Sequence, residues 1–272
     1  MIGLELSCVA IIALYLFVRA SKDPAPKAFL GRFLLLMIAS WVGENSVIHA
    51  YHFYGYSPRW SIFVDQVPLL VITIWPVVIH SAWDLAKRLT KRPERVPLIG
   101  AALVLADASL IEPIAVQAGL WQWYEPGFLA VPPVGILGWA FFAWGCLWVF
   151  EHKRLPNLSA VGLGALIVHP LLLAAWWGFF RWVNGDVAPW PVVGVAWALS
   201  LGLAFQAWRS GAGRDIPLYE LLLRVPAAGF FFVLLALHSA GIWALVVYAL
   251  AFAPPYLVLT VNAQKGASAA NT

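Results

Sequence analysis

Stretches of about twenty apolar residues recur along almost the whole chain, and this leaves few folds open to it. They occupy residues 2–18, 33–54, 66–85, 96–118, 131–150, 158–180 and 187–208, and a last block at 217–260 is long enough for two more. Twenty residues of helix match the thickness of a bilayer's hydrocarbon core. A chain in that core satisfies its backbone polar groups only as helices or as a closed barrel. Runs this long predict an all-α polytopic transmembrane bundle of nine spans; the alternative is eight, with the last block as one tilted helix plus an interfacial segment. Apolar residues make up 62% of the 272-residue sequence, charged ones 11%, and the mean hydropathy is +0.81, well outside the usual composition of a soluble domain. No stretch between the runs is long enough for a separate core, so residues 1–262 read as one membrane domain. Residues 263–272 read as a short, small-residue, disordered tail.

Charge placement supports the span count and predicts an orientation. Alternate loops carry Arg19, Lys22, Lys27 and Arg32; Lys87, Arg88, Lys91, Arg92 and Arg95; Lys153 and Arg154; Arg209 and Arg214; and Lys265, which is 14 of the 17 basic residues. Basic residues concentrate on cytoplasmic loops, so the N-terminus is expected outside and the C-terminus inside. The opposite loops hold Arg59 and Arg181, and Arg224 is expected to pair along its own helix with Glu220. The net charge of +4 is spread over short loop clusters and predicts no nucleic-acid partner. Cys8 and Cys146 sit in apolar runs as small hydrophobes. The first run lacks the basic start of a secretory signal and reads as a retained helix. No internal repeat stands out, and Pro68, Pro76, Pro113 and Pro170 fall inside predicted spans.

Ionisable groups inside a membrane are costly and usually face a cavity, a partner or a pathway. At about 1.5 Å per helical residue, Glu44 lies roughly 16 Å into the second run, near the bilayer midplane. Asp107 and His169 sit equally deep in the fourth and sixth. Glu112 is expected about 7.5 Å nearer the outer face than Asp107. His52 is two turns above Glu44 on a similar helical face, whereas His49 points elsewhere. For His49 and His52 the alternative is an interfacial residue with one wet edge; for the carboxyls and His169 it is a hydrogen bond between helices. The 16 tryptophans, including Trp60, Trp121, Trp123, Trp182 and Trp190, suit an aromatic belt at the membrane boundary, although indole faces also stabilise cations. The sequence has no phosphate-binding glycine loop, GxSxG site or HExxH helix. Its six histidines, with one close pair, are too few for a histidine-rich di-iron centre. Cofactor-free, metal-free chemistry or transport is the expectation.

The segments GENSVIHAYHFYGY (43–56), QVPLLVITIW (66–75) and DASLIEPIAVQAGLWQWYEPGFLAVPPVGILGW (107–139) resemble the integral-membrane carotenoid biosynthesis family that includes carotenoid 1,2-hydratases and bisanhydrobacterioruberin hydratase. The resemblance covers about residues 40–140. It rests on Gly43-Glu44, Gly55-Tyr56, Val67-Pro68 with Trp75, Asp107, Glu112-Pro113, Trp121-x-Trp123, Val131-Pro132 and Gly138-Trp139. Two positions depart from the family pattern: Glu112 stands where Asp is usual, and Gly135 where Asn is usual. The resemblance implies addition of water to a terminal C=C of an acyclic carotenoid or related isoprenoid, in a bacterial cytoplasmic membrane, with a lipid-soluble polyene and membrane lipids as partners and the oligomeric state left open.

Such hydration needs an acid for the alkene, a pocket that tolerates a tertiary carbocation, and a base that steers water. A carboxyl removed from water favours its neutral form, so two carboxyls in different surroundings can divide these tasks. The expected site is Asp107 or Glu44 as proton donor and Glu112 as the water-orienting group, with His169 or His52 assisting. Tyr56, Trp75, Trp121, Trp123 and Trp139 are expected to line the substrate pocket. Two other functions fit the same residues: a membrane isoprenoid cyclase, and a proton-coupled carrier that relays through Glu44, Asp107 and His169.

Overall fold

In a computed structural model of the chain, which describes residues 1–152, 154–183 and 185–270, nine helices among the described residues are long and apolar enough to cross a membrane. Lys153, one of the two basic residues expected after the fifth span, lies outside the described residues. The first spans are α1 (Ile2–Lys22), α2 (Pro26–Tyr51), α3 (Leu69–Leu89), α4 (Val96–Gln117), entered through a single 3-10 turn, and α5 (Pro133–Glu151). The sixth is α6 (Ala165–Ala175), flanked by π-helical turns Ala160–Gly164 and Trp176–Phe180, and the seventh is α7 (Pro189–Ser210). The eighth joins α8 (Leu218–Leu222) to α9 (Val225–His238); the ninth joins α10 (Trp243–Leu250) to α11 (Ala253–Ala270). The last apolar block therefore forms two spans.

α11 continues through the segment expected to be a disordered tail. Asn262 donates to the carbonyls of Ala207 and Ala212. Gly266 packs so closely on Arg214 that a Cβ there would lie 2.1 Å from its carbonyl oxygen. The helix is carried by packing on the end of α7, which local composition does not reveal. Residues 271 and 272 lie outside the described part.

At one end of the bundle, short extended pieces interrupt the helical pattern. β1 (Tyr54–Tyr56) pairs antiparallel with β4 (Trp121–Trp123), in the register Tyr54↔Trp123, Gly55↔Gln122 and Tyr56↔Trp121. β2 (Phe63–Val64) and β3 (Val67–Pro68) form a tight hairpin around Asp65 and Gln66. His52 adopts a left-handed conformation (φ 53°), which stops α2 and turns the chain into β1.

The ribbon joins two similar units, although no repeat stands out by eye. Each unit has a helix bearing a glutamate, an aromatic-x-aromatic strand, a two-residue turn and a Val-Pro pair that opens the next helix. Each turn starts in the left-handed region, at Asp65 (φ 56°) and Leu129 (φ 50°). α3 follows an N-cap at Pro68 and α5 one at Pro132, so Trp75 and Trp139 are each the seventh residue of their helix. The register is symmetric about Gly55↔Gln122, and the Trp75 and Trp139 rings meet 4.3 Å apart. In these respects the two units match across the ribbon. The glutamate-to-tryptophan spacing is 31 residues in the first unit and 27 in the second. That difference, together with the exchange of tyrosine for tryptophan, hides the repeat from inspection.

Candidate functional site

Alternation along a strand places every second side chain on one face. In the ribbon that face carries Tyr54, Tyr56, Trp121 and Trp123, with Gly55 and Gln122 on the other. Cross-strand partners are in ring contact, Tyr54 tilted against Trp123 with ring centroids 4.6 Å apart and Tyr56 edge-on to Trp121 at 5.9 Å. All four polar tips reach inward to carboxyls that lie about 10 Å (Glu44) and 7.5 Å (Glu112) before the ends of α2 and α4.

The two carboxyls are held in matching ways. The hydroxyls of Tyr54 and Tyr56 both bond to Glu44 Oε2, the latter at 2.9 Å, and Trp75 Nε1 donates to Glu44 Oε1 at 2.9 Å. Trp121 and Trp123 donate to Glu112 Oε2 at 2.8 and 2.9 Å, and Trp139 donates to Oε1 at 2.7 Å. In each unit two donors come from the ribbon and one from the following helix. Glu112 is 2% exposed, whereas Glu44 keeps some accessible surface. Burial, and after it the Glu44 carboxyl, pushes the hydroxyls of Tyr54 and Tyr56 well above the usual tyrosine range, so both remain neutral phenols.

Both glutamates line one cavity of about 140 Å³. At some 10–15 Å³ per water, it has room for a short branched hydrocarbon and a water. All the expected pocket residues, Tyr56, Trp75, Trp121, Trp123 and Trp139, line it, with Phe142 from α5, Cys8 and Ile11 from α1, and Phe230 and Phe231 from α9. The rest of the wall is almost wholly aliphatic or aromatic, the setting in which a few convergent polar groups define a binding site.

Three of the expected residues lie elsewhere. Asp107 pairs with Arg224 at 2.5 Å, and the same guanidinium donates to Ser81 and Tyr256. This cluster lines a second cavity of about 280 Å³, which shares Val77, Val78, Ile111, Ala227 and Phe231 with the first. The predicted Glu220–Arg224 pair does not form, because α8 ends at Leu222 and α9 restarts at Val225; Glu220 instead faces Arg88 at 3.4 Å. His169 bonds Ser46 at 2.9 Å and the Tyr51 hydroxyl at 2.8 Å, clamping α6 to α2. His52 is exposed beyond the end of α2, so a helical wheel extended past Tyr51 misplaces it. His49 bonds Asp65 at 2.6 Å on the exposed hairpin.

The expected common level of Glu44 and Asp107 fails because α2 begins at Pro26, well before the apolar run from which depth was counted. Glu44 and Glu112, not Glu44 and Asp107, share a level. Tyr54 was missed; the signal that finds it is the alternation YGY set against WQW. Trp60, read as a belt residue, turns inward: it is 7% exposed and donates to the Leu120 carbonyl. Trp121 and Trp123, which suited both a belt and the pocket, line the cavity. Gly135 also finds its reason, since a Cβ there would lie 2.5 Å from the Trp123 ring. No family model matches the chain, and no curated protein or solved structure matches it.

Proposed function

We propose that this protein adds water to a terminal C=C of an acyclic carotenoid or related isoprenoid, with Glu44 and Glu112 as its chemical groups. The observation that supports this most is the convergence of two membrane-embedded carboxyls on one aromatic-walled apolar cavity. A carboxylic acid there protonates the less substituted alkene carbon, forming a C–H bond from the π pair and leaving a tertiary cation. The oxygen of water then bonds the cationic carbon and gives up a proton to a carboxylate. The balance is alkene plus water, with no oxidant or reductant. Indole and phenol faces around the cavity stabilise the cation. A polyene enters from lipid between α1 and α9, whose outer faces are largely exposed: Leu6 is 63% and Leu237 72% accessible.

The same reading places the protein in a bacterial cytoplasmic membrane, with its N-terminus outside, its C-terminus inside and the ribbon at the outer end. The 14 basic residues on alternate loops support that orientation. Glu44, Asp107 and His169 are held in three separate hydrogen-bonded clusters, which favours hydration over a relay through them.

The test is expression in a bacterium that accumulates an acyclic carotenoid with unmodified ends, with mass analysis of the pigments. Gain of one or two waters, abolished by Glu44→Gln and by Glu112→Gln, is the expected result. A product of unchanged mass but altered absorption would assign a cyclase instead, and unchanged pigment would sink the proposal for that substrate class.

A further inference from the structure

The two halves of the site differ in one chemical respect. A phenol hydroxyl both donates and accepts hydrogen bonds; an indole N–H only donates. All three bonds to Glu112 come from indoles. Its carboxylate form uses every one of them, whereas its acid form would own an O–H that none of these partners can receive. Two of the three groups on Glu44 are tyrosine hydroxyls. A proton on Glu44 Oε2 can be passed to one of them as a hydrogen bond while the other tyrosine and Trp75 still donate. Among the described residues, the other titratable groups on the cavity wall are Cys8, Tyr54 and Tyr56, with no Lys, Arg or His.

We infer that Glu44 is the proton carrier of the site and Glu112 a permanent anion, and that the exchange of Tyr54 and Tyr56 for Trp121 and Trp123 between the two units sets this division. Resting on the hydration reading, the cycle closes on one acid. Glu44 gives its proton to the alkene; the cation forms opposite the fixed charge of Glu112; water adds; and the proton released from the water oxygen returns to the Glu44 carboxylate. Glu112 stays charged throughout and acts as a positioning and charge-offsetting residue. Tyr54 and Tyr56 are the groups that let Glu44 exist in both forms.

The protonation pattern is readable without substrate, by infrared spectroscopy of the purified full-length protein in lipid nanodiscs at neutral pH. The stretch of a protonated carboxyl should vanish in Glu44→Gln and persist in Glu112→Gln. Loss in Glu112→Gln, or persistence in Glu44→Gln, would overturn the inference. If either glutamine variant fails to fold, the aromatic variants decide. Tyr54→Phe with Tyr56→Phe should shift that band, while Trp123→Phe should leave it in place and shift a carboxylate band; the reverse pattern would refute the assignment. These outcomes are independent of whether any pigment is converted, so a failed hydration assay and a failed division of roles remain distinguishable.

Discussion

At the scale of single residues, the site depends on bonds that can be removed one at a time. Replacing Trp139 by Phe keeps most of the ring's packing on Trp75 and deletes one N–H donor to Glu112. Hydrogen bonds to charged groups contribute about 1.5–3 kcal/mol, so product formation in the pigment assay should fall roughly ten- to a hundredfold if that bond is made in the transition state. Gly135→Asn should do comparable damage by another route. Its Cβ would occupy space filled by the Trp123 ring, 2.5 Å away, and would push that indole off Glu112. Quenching of tryptophan fluorescence by an apolar cavity ligand should weaken in this variant, and unchanged quenching and activity would contradict the packing argument. Glu44 and Glu112 could be picked out in the sequence because a carboxyl inside an apolar run is conspicuous. Their separation from Asp107 could not, because Asp107 is claimed by an arginine 117 residues away.

At the scale of elements, the ribbon and its turns carry the arrangement. The turn between Phe128 and Val131 holds Leu129 and Ala130 at φ 50° and 65°, a pairing for which Asn-Gly is the usual choice. Left-handed backbone costs a residue with a Cβ about 1–2 kcal/mol. Replacing the exposed Ala130 by Gly should therefore raise stability by about 1 kcal/mol, seen as a higher midpoint in thermal unfolding. The matching turn in the first unit is tied to α2 differently. Bonds from His49, then Asn45, hold the Asp65 carboxyl below its usual range. A lowered folded pKa means that this tie contributes fully above the ordinary aspartate range and is lost as pH falls through the depressed value. Amide exchange in the Phe63–Val64 hairpin should accelerate only in that acid window, and acceleration at neutral pH would count against it. The helices were legible because their apolar runs match the bilayer. Strands of three residues were not, since a helical period absorbs so short a piece without contradiction.

At the scale of the whole molecule, the Asp107–Arg224 pair links α4 to the junction of α8 and α9, with Tyr256 of α11 completing it. Removing one member of a buried pair typically costs about 3–5 kcal/mol, whereas replacing both with apolar residues can be nearly neutral. Asp107→Asn and Arg224→Met should each lower the unfolding temperature in detergent, and Asp107→Leu combined with Arg224→Met should recover much of the loss. A double variant as unstable as the sum of the singles would rule out a structural ion pair. What this sequence determined by itself is the material of the protein: enough apolar runs for nine spans among the described residues, and glutamates embedded in two of them, because helix length and burial cost depend on local composition. Only the tertiary structure decided which carboxyls meet, that tryptophans suited to a belt turn inward as donors, and that the two units face each other across a ribbon. Those outcomes depend on contacts between residues 9 to 117 positions apart, where a shift in one helix start or one extra loop residue changes the partner without changing the local pattern.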